Sequence, residues 1–421
     1  MKSEYGMVDK TGPSPQRPKN AGGTGHYRSN RAARSKSAKP STQQNFAVNN
    51  HGQRKKPLNG PAVNGSSVND AFVNGPAKAQ PKKTPQSHVN GRKTYAALDL
   101  GTNNCRLLIA KAGNANFTVV DAFSKVVRLG EGIGQTGRIS DAAIERTIDA
   151  LHICAQKLKR RHVILARSVA TEACRRATNG PEFIERVRRE TGIYLDIISA
   201  EEEARLAVMG CHVLLPPGQG PALIFDIGGG STELVLVDTD KGIPRILDWV
   251  SIPWGVVSLT EAQPNVSSDD AQIRAQAYEE MKKIVAQAFT GFAQKINGLM
   301  AGDMRILGTS GTITTLASIY LQLDHYDRSV VDGLVVPSKD MLEISHILAG
   351  QTPRQRAEYP CVGNERSDLV VAGCAILEEI LTLWPSDEIC VADRGIREGI
   401  LRLLMASNNK MIPQILSQKN I

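Results

Sequence analysis

Leu223 to Val237 reads LIFDIGGGSTELVLV, and this stretch decides the fold. It consists of an apolar strand, Asp226, the glycines Gly228, Gly229 and Gly230, then Ser231-Thr232-Glu233 and a second apolar strand. Glycine has no Cβ, so such a backbone can take positive φ and turn its N–H groups toward an anion at close range. A carboxylate at the end of the strand can hold a divalent cation or a water beside phosphate oxygens. A tight β-hairpin with an Asp at its corner explains the same residues. The stretch alone leaves both readings open.

A second copy lies upstream, at Leu98 to Ile109. Shifted by 127 positions, Asp99 falls on Asp226, Gly101 on Gly228, Asn104 on Ser231, Arg106 on Glu233 and Leu107 on Leu234. Two copies of strand, Asp-x-Gly turn and strand predict two similar lobes, each giving one phosphate loop to a cleft between them. Each turn is followed by a strand, and no Gly-x-Gly-x-x-Gly opens a helix, which excludes a dinucleotide fold.

Three further segments carry candidate chemistry. Val163 to Val169 reads as a strand leading into TEACRRATNG, and a Thr, a Glu and Arg175 just past a strand's C-terminal end lie where open α/β sheets bind ligands. A basic surface helix explains Arg175 equally. Tyr194 to Ile198 is a strand, and Ser199 caps the helix beginning AEEEAR. Glu202 sits three places past the cap, where it can close a capping box, and Glu201 and Arg205 can pair at i, i+4. That leaves Glu203 without a local task, either as a general base for water or as one more acid favouring the helix dipole. Finally, MRILGTSGTIT (304–314) is a glycine-rich strand-to-helix turn whose N–H groups around Gly308, Ser310 and Gly311 can receive an anion. Thr312 stands where a serine-hydrolase elbow needs glycine, which rejects that chemistry.

Charge is unevenly spread. Residues 1–93 hold 17 Lys and Arg against 3 acids, and the remainder 34 against 39. The extension is rich in Pro, Gly, Asn, Ser and Lys and carries a drifting Val-Asn-Gly repeat, so it cannot bury enough apolar surface to offset its ordering entropy and reads as disordered. A basic arm invites a nucleic acid, the ribosome or polyphosphate as partner, or serves only as a solubilising linker. There is no apolar run long enough to span a bilayer and no apolar leader, which predicts a soluble, cytoplasmic protein. Seven scattered cysteines without a Cys-x-x-Cys pair argue against a disulfide framework and a zinc site.

Taken in chain order, DLGTNNCRLL (99–108), ATEACRRATNG (170–180), SAEEEAR (199–205), DIGGGSTEL (226–234), GTSGT (308–312), ERSD (365–368) and DRGIREG (393–399) resemble the exopolyphosphatase and guanosine pentaphosphate phosphohydrolase family. Its larger kin are the actin, Hsp70 and sugar kinase superfamily. The resemblance covers about residues 94–405, in the family's short form, with Asn104 where a Ser is common. It implies an α/β fold of two ribonuclease-H-like, actin-like lobes with a cleft between them, a first lobe over 94–212 and a second over 213–421, with a return of the last helices to the first lobe as one expected arrangement.

The resemblance also implies Mg2+ or another divalent cation as cofactor, with Glu203 as the base that activates water and Asp99, Asp226 and Glu233 as the acids that position metal and water. The phosphate ligands it implies are Gly101, Thr102, Asn103, Asn104, Arg106, Arg175, Gly228, Gly229, Gly230, Ser231, Gly308, Ser310 and Gly311. Polyphosphate is the first expected substrate, with guanosine pentaphosphate as its sibling and a homodimer as a candidate assembly. A kinase of the same superfamily is disfavoured by Glu203 just ahead of the second loop, which suits water as acceptor. A non-catalytic polyphosphate or alarmone sensor is disfavoured by the intact acids at 99, 203, 226 and 233.

Overall fold

The computed structural model describes residues 93–113, 117–218, 220–239, 244–299 and 304–408. The predicted disorder of the basic extension therefore lies outside the described residues, apart from Lys93. The first sheet is built from β1 (Thr94–Leu100), β2 (Asn104–Ala112), β3 (Phe117–Val126), β4 (Leu165–Ala170) and β5 (Leu195–Ile197), in the order β3-β2-β1-β4-β5. The second holds β6 (Pro221–Ile227), β7 (Thr232–Asp238), β8 (Arg245–Ile252), β9 (Arg305–Thr309), β10 (Val335–Pro337) and β11 (Glu388–Ala392), in the order β10-β11-β9-β6-β7-β8. In both, an antiparallel meander of three strands is extended by two parallel strands beside its first member, and in the second sheet β10 adds an antiparallel edge to β11. The two-lobed reading of the sequence holds.

The 127-residue offset extends below the level of topology. Asp99 pairs with Arg106, and Asp226 pairs with Glu233. The ladder between β2 and β3 slips between Ile109 and Ala110, and that between β7 and β8 slips between Leu236 and Val237, again 127 apart. Side chains of a strand alternate faces. Accordingly Ala96, Leu98 and Leu100 enter one core and Tyr95 and Ala97 another. Their counterparts Leu223, Phe225 and Ile227 divide from Ala222 and Ile224 in the same way. Strands apolar on both faces must be covered on both.

The helices Asp141–Arg160 and Gly180–Thr191 cover one face of the first sheet. Ser140 caps the former, its Oγ accepting from the Ala143 N–H at 3.3 Å. At its other end Lys157 and Arg161 hold Asp121 of β3 at 2.7 and 2.8 Å, so these basic residues do more than suit a helix C-terminus. The helices Ala271–Ile296, Gly311–Tyr320, Ser338–Gly350 and Val370–Leu383 cover the outer face of the second sheet. Each fully buried Leu, Ile or Phe in these layers contributes about 1.5–3 kcal/mol of apolar burial.

The helix Ala200–Cys211 lies between the two sheets. Leu206 and Ala207 pack on the first with Tyr95 and Leu108, while Ala204, Val208 and Cys211 pack on the second with Ile224 and Val235. The helix Ile396–Asn408 returns to the first sheet through Ile396, Ile400 and Leu401. It crosses Ala200–Cys211 at backbone contact: a Cβ on Gly399 would stand 2.1 Å from the Leu206 carbonyl oxygen, and one on Gly210 2.0 Å from that of Gly395. Only glycine fits at that crossing.

Candidate active site

Both Asp-x-Gly turns are hairpin turns closed by the same bond. The Gly101 N–H donates to the Asn104 carbonyl and the Gly228 N–H to the Ser231 carbonyl, each at 2.9 Å. The hairpin and phosphate-loop readings of the sequence are thus compatible. None of Gly101, Gly228, Gly229 or Gly230 takes positive φ. Their want of a side chain serves close approach instead: a Cβ on Gly229 would lie 2.9 Å from Thr102 Cβ, and one on Gly230 2.8 Å from Thr102 Oγ1. The loops of the two lobes meet there, and a methyl group on either glycine would separate them.

Between the loops lies a cavity of about 120 Å³. The structure brings around it Asp99, Gly101, Thr102, Asn103, Asn104 and Arg106 of the first loop and Asp226, Gly228, Gly229, Gly230, Ser231 and Glu233 of the second. Glu203, Ser310 and Gly311 also line it. Gly308 and Arg175 do not. A Cβ on Gly308 would strike the Phe225 ring at 2.5 Å, so that glycine answers to core packing. Arg175 is turned into the protein, with Nη1 donating to Glu203 Oε2 at 2.7 Å and to the Ile198 carbonyl at 2.9 Å, and Nε and Nη2 donating to Glu172 Oε2.

Glu203 itself stands in the first turn of its helix. Ser199 Oγ accepts from the Glu202 N–H at 3.1 Å, as the sequence predicts. Glu202 does not close a capping box; its carboxylate pairs with Arg167 at 2.8 Å and lies 3.8 Å from Arg205, so Arg205 is met at i, i+3 by Glu202 and not by Glu201. Glu203 is buried, and so is Glu233, whose Oε1 accepts from Ser231 Oγ at 2.7 Å and Ser251 Oγ at 2.9 Å.

Four carboxyl groups therefore share one poorly solvated place, and burial disfavours their charged forms. Burial, with Glu233 nearby, pushes Glu203 well above the usual carboxylate range against the pull of Arg175. Burial raises Asp226 to about 6 against Arg106, and burial with Asp226 raises Glu233 to about 7. Asp99 is raised as well, again mainly by burial.

Arg366 lines the cavity and was missed in the sequence, although it lies in the ERSD motif. A Cβ on Gly311 would lie 3.7 Å from Arg366 Nη1 and 3.8 Å from Arg106 Nη2, so one guanidinium from each lobe converges on the start of the helix Gly311–Tyr320. Neither side chain is ion-paired within the described residues. Ser310, which opens that helix, has φ +124° and a buried hydroxyl without a hydrogen-bond partner among the described residues. Two guanidinium groups and a helix N-terminus make a strong anion site. The loop bearing Arg366 is tied to the first lobe by Arg128, whose Nη2 lies 3.4 Å from Asp368 and 3.3 Å from the Glu365 carbonyl.

Among the described residues no three His, Cys, Asp or Glu side chains converge to hold a metal alone. Among the described residues the buried Oδ1 of Asp99 has no hydrogen-bond partner, and Asp99 and Asp226 both line the cavity. Mg2+ is commonly held by one or two carboxylates together with substrate phosphates and waters. The residues present fit that form of binding through Asp99 and Asp226, with Glu233 engaged by its two serines.

Two meanders of like order, joined by a shared helix and offering paired glycine loops to a common cavity, define an actin-like phosphate-handling fold. The chain belongs to the Ppx/GppA phosphatase family, whose model matches residues 108–408. It is 31% identical over 318 residues to Exopolyphosphatase 2 of Mycobacterium tuberculosis, covering 72% of this chain and 96% of the relative. It is 28% identical to the guanosine-5'-triphosphate,3'-diphosphate pyrophosphatase of Aeromonas salmonicida, covering 75% of this chain and 60% of that one. The crystal structure of the Aquifex aeolicus Ppx/GppA family member superimposes with a TM-score of 0.61 at 28% identity, covering 75% of this chain and 99% of that one. Membership makes the chain a hydrolase of phosphoanhydride bonds. Among the described residues no helix is long and apolar enough to cross a membrane.

Proposed function

We propose that the protein is an exopolyphosphatase, releasing terminal orthophosphate from inorganic polyphosphate by attack of a water deprotonated at Glu203. The observation that carries this reading is the buried Glu203 carboxylate lining a cavity whose walls combine acids for a cation with phosphate donors: two glycine loops, Arg106, Arg366 and the helix start at Gly311. Phosphoryl transfer needs positioning and charge neutralisation more than covalent chemistry, and these groups supply both. Arg106 and Arg366 take the charge of the chain end, Glu203 Oε1 or Oε2 receives the proton of water, and Arg175 keeps that carboxylate oriented. A divalent cation held by Asp99 and Asp226 would add neutralisation of the phosphate oxygens.

Hydrolysis of guanosine pentaphosphate to the tetraphosphate is the second reading, favoured by the Aeromonas salmonicida relative. Polyphosphate is preferred because, among the described residues, those lining the cavity include no aromatic side chain on which a purine could stack. Phosphate release from long-chain polyphosphate and from guanosine pentaphosphate, measured side by side with Mg2+, tests the choice. Faster turnover of the nucleotide would reverse it. Glu203→Gln is expected to lower kcat by about a hundredfold or more while polyphosphate binding persists. Activity within a few-fold of wild type would remove Glu203 from the reaction.

A further inference from the structure

We propose that Glu172 is a positioning residue for this reaction: it keeps Arg175 on Glu203 and away from the substrate phosphates. The inference rests on the reading of Glu203 as the base. Glu172 opens the short helix Glu172–Arg176 at the end of β4, where the Thr171 N–H bonds the Leu100 carbonyl and fixes the helix to β1. From there its Oε2 accepts two bonds from one guanidinium, from Arg175 Nε at 3.1 Å and Nη2 at 2.8 Å. The remaining donor, Nη1, is divided between Glu203 Oε2 and the Ile198 carbonyl. All three nitrogens of Arg175 are thereby engaged by groups of the first lobe and the shared helix.

Glu172 lines the cavity, whereas the arginine it holds does not. Its stem also reaches the second lobe, since a Cβ on Gly230 would lie 3.0 Å from Glu172 Cγ. The side chain of Glu172 thus touches the second phosphate loop with its stem and holds Arg175 with its carboxylate. Among the described residues the one ion-pair partner of its other oxygen is Arg176, at 4.0 Å.

A guanidinium within reach of a polyanion is ordinarily drawn onto it, because charge-assisted bonds to phosphate are strong and bidentate. With Glu203 as its only carboxylate partner, Arg175 would face that competition each time a substrate entered. Two carboxylates sharing it shift the balance, and the base retains its orienting cation while Arg106 and Arg366 take the phosphates. Glu172 therefore separates the cation that serves the base from the cations that serve the substrate.

The test is steady-state phosphate release from polyphosphate by Glu172→Gln, which keeps the shape and removes the charge. The expected result is a kcat lower by about tenfold with KM unchanged or lowered, because Arg175 is released toward the substrate. The effect should vanish in an Arg175→Gln background, where E172Q changes kcat by less than about twofold, as a double-mutant cycle requires of residues acting through one another. Kinetics within twofold of wild type, a raised KM at unchanged kcat, or the same loss in both backgrounds would each overturn the proposal. If Glu172→Gln melts early, the same cycle is run with Glu172→Asp, which keeps the charge but shortens the reach. The failures are separable: active Glu203→Gln protein removes the base reading, whereas inactive Glu203→Gln with unaffected Glu172→Gln removes this inference alone.

Discussion

Arg106 and Glu233 occupy the same place in the two lobes, one in register with Asp99 and the other with Asp226, and one is a guanidinium where the other is a carboxyl group. The duplication is symmetric in backbone and asymmetric in chemistry. Arg106 joins Arg366 at the helix start near Gly311, while Glu233 is buried with two serine hydroxyls on one oxygen. Arg106→Ala and Arg366→Ala are each expected to raise KM for polyphosphate by about tenfold with kcat within a few-fold, the signature of lost phosphate binding. Glu233→Gln should lower kcat with little change in KM. Steady-state kinetics on one polyphosphate preparation distinguish the two patterns, and a reversed assignment would contradict this division.

Ser310 offers a test in which stability and activity move in opposite directions. Its φ of +124° belongs to a region essentially reserved for glycine, at a cost of about 1–3 kcal/mol. Ser310→Gly should raise the melting temperature by a few degrees while lowering kcat/KM several-fold through loss of the hydroxyl. Ser310→Ala should lower kcat/KM equally without the thermal gain. Equal melting temperatures in the two variants would show that the backbone angle carries no strain.

The raised carboxyl groups give stability a definite pH slope. Asp226 at about 6 and Glu233 at about 7 bind protons more tightly in the folded chain than in the unfolded one. Their contribution is fully present below about pH 4 and is lost as pH rises through 6 and 7, on the order of 3 kcal/mol for each group taken alone. Urea unfolding in the presence of a chelator should therefore give a lower midpoint at pH 8 than at pH 5. Glu233→Gln should flatten that slope. A midpoint that rises with pH across this window would contradict the burial of these acids.

The helix crossing predicts a loss where propensity predicts a gain. In an exposed helix interior, Gly→Ala stabilises by about 1 kcal/mol. At Gly399 the added methyl would stand 2.1 Å from the Leu206 carbonyl oxygen, so Gly399→Ala should destabilise by about 2 kcal/mol or more as the helices part. Thermal melting checks the sign. Activity should fall with it, since Leu206 and Glu203 share a helix.

Much of this was legible because the duplication is written in residues whose spacing is rigid. A hairpin turn and its flanking strands have few variants, so the 127-residue offset in the sequence reappears in the register, in the position of the bulge and in the bond closing each turn. What was not legible depends on chain segments meeting at a distance. Arg366 precedes a helix in a polar loop, and nothing local signals that Arg128 will draw that loop to the first lobe. Arg175 reads as a phosphate ligand from its place after a strand, yet the two acids that hold it lie 3 residues before and 28 after it, and only the fold decides which anion it serves. Gly308 reads as part of a phosphate turn, but the ring of Phe225 on the neighbouring strand explains it.

The helix Ala200–Cys211 is gripped on opposite flanks by the two sheets, and Glu203 sits at its end. Such a helix works as an axle. A rotation of one sheet against the other about this line would change the spacing of the two glycine loops across the cavity far more than it would move a carboxylate in the first turn of the helix. For the polyphosphate substrate proposed above, such a rotation would widen and narrow the space around the chain end while the carboxylate proposed to accept the proton of water moved little, which is the mechanical condition for removing one residue after another from the same end.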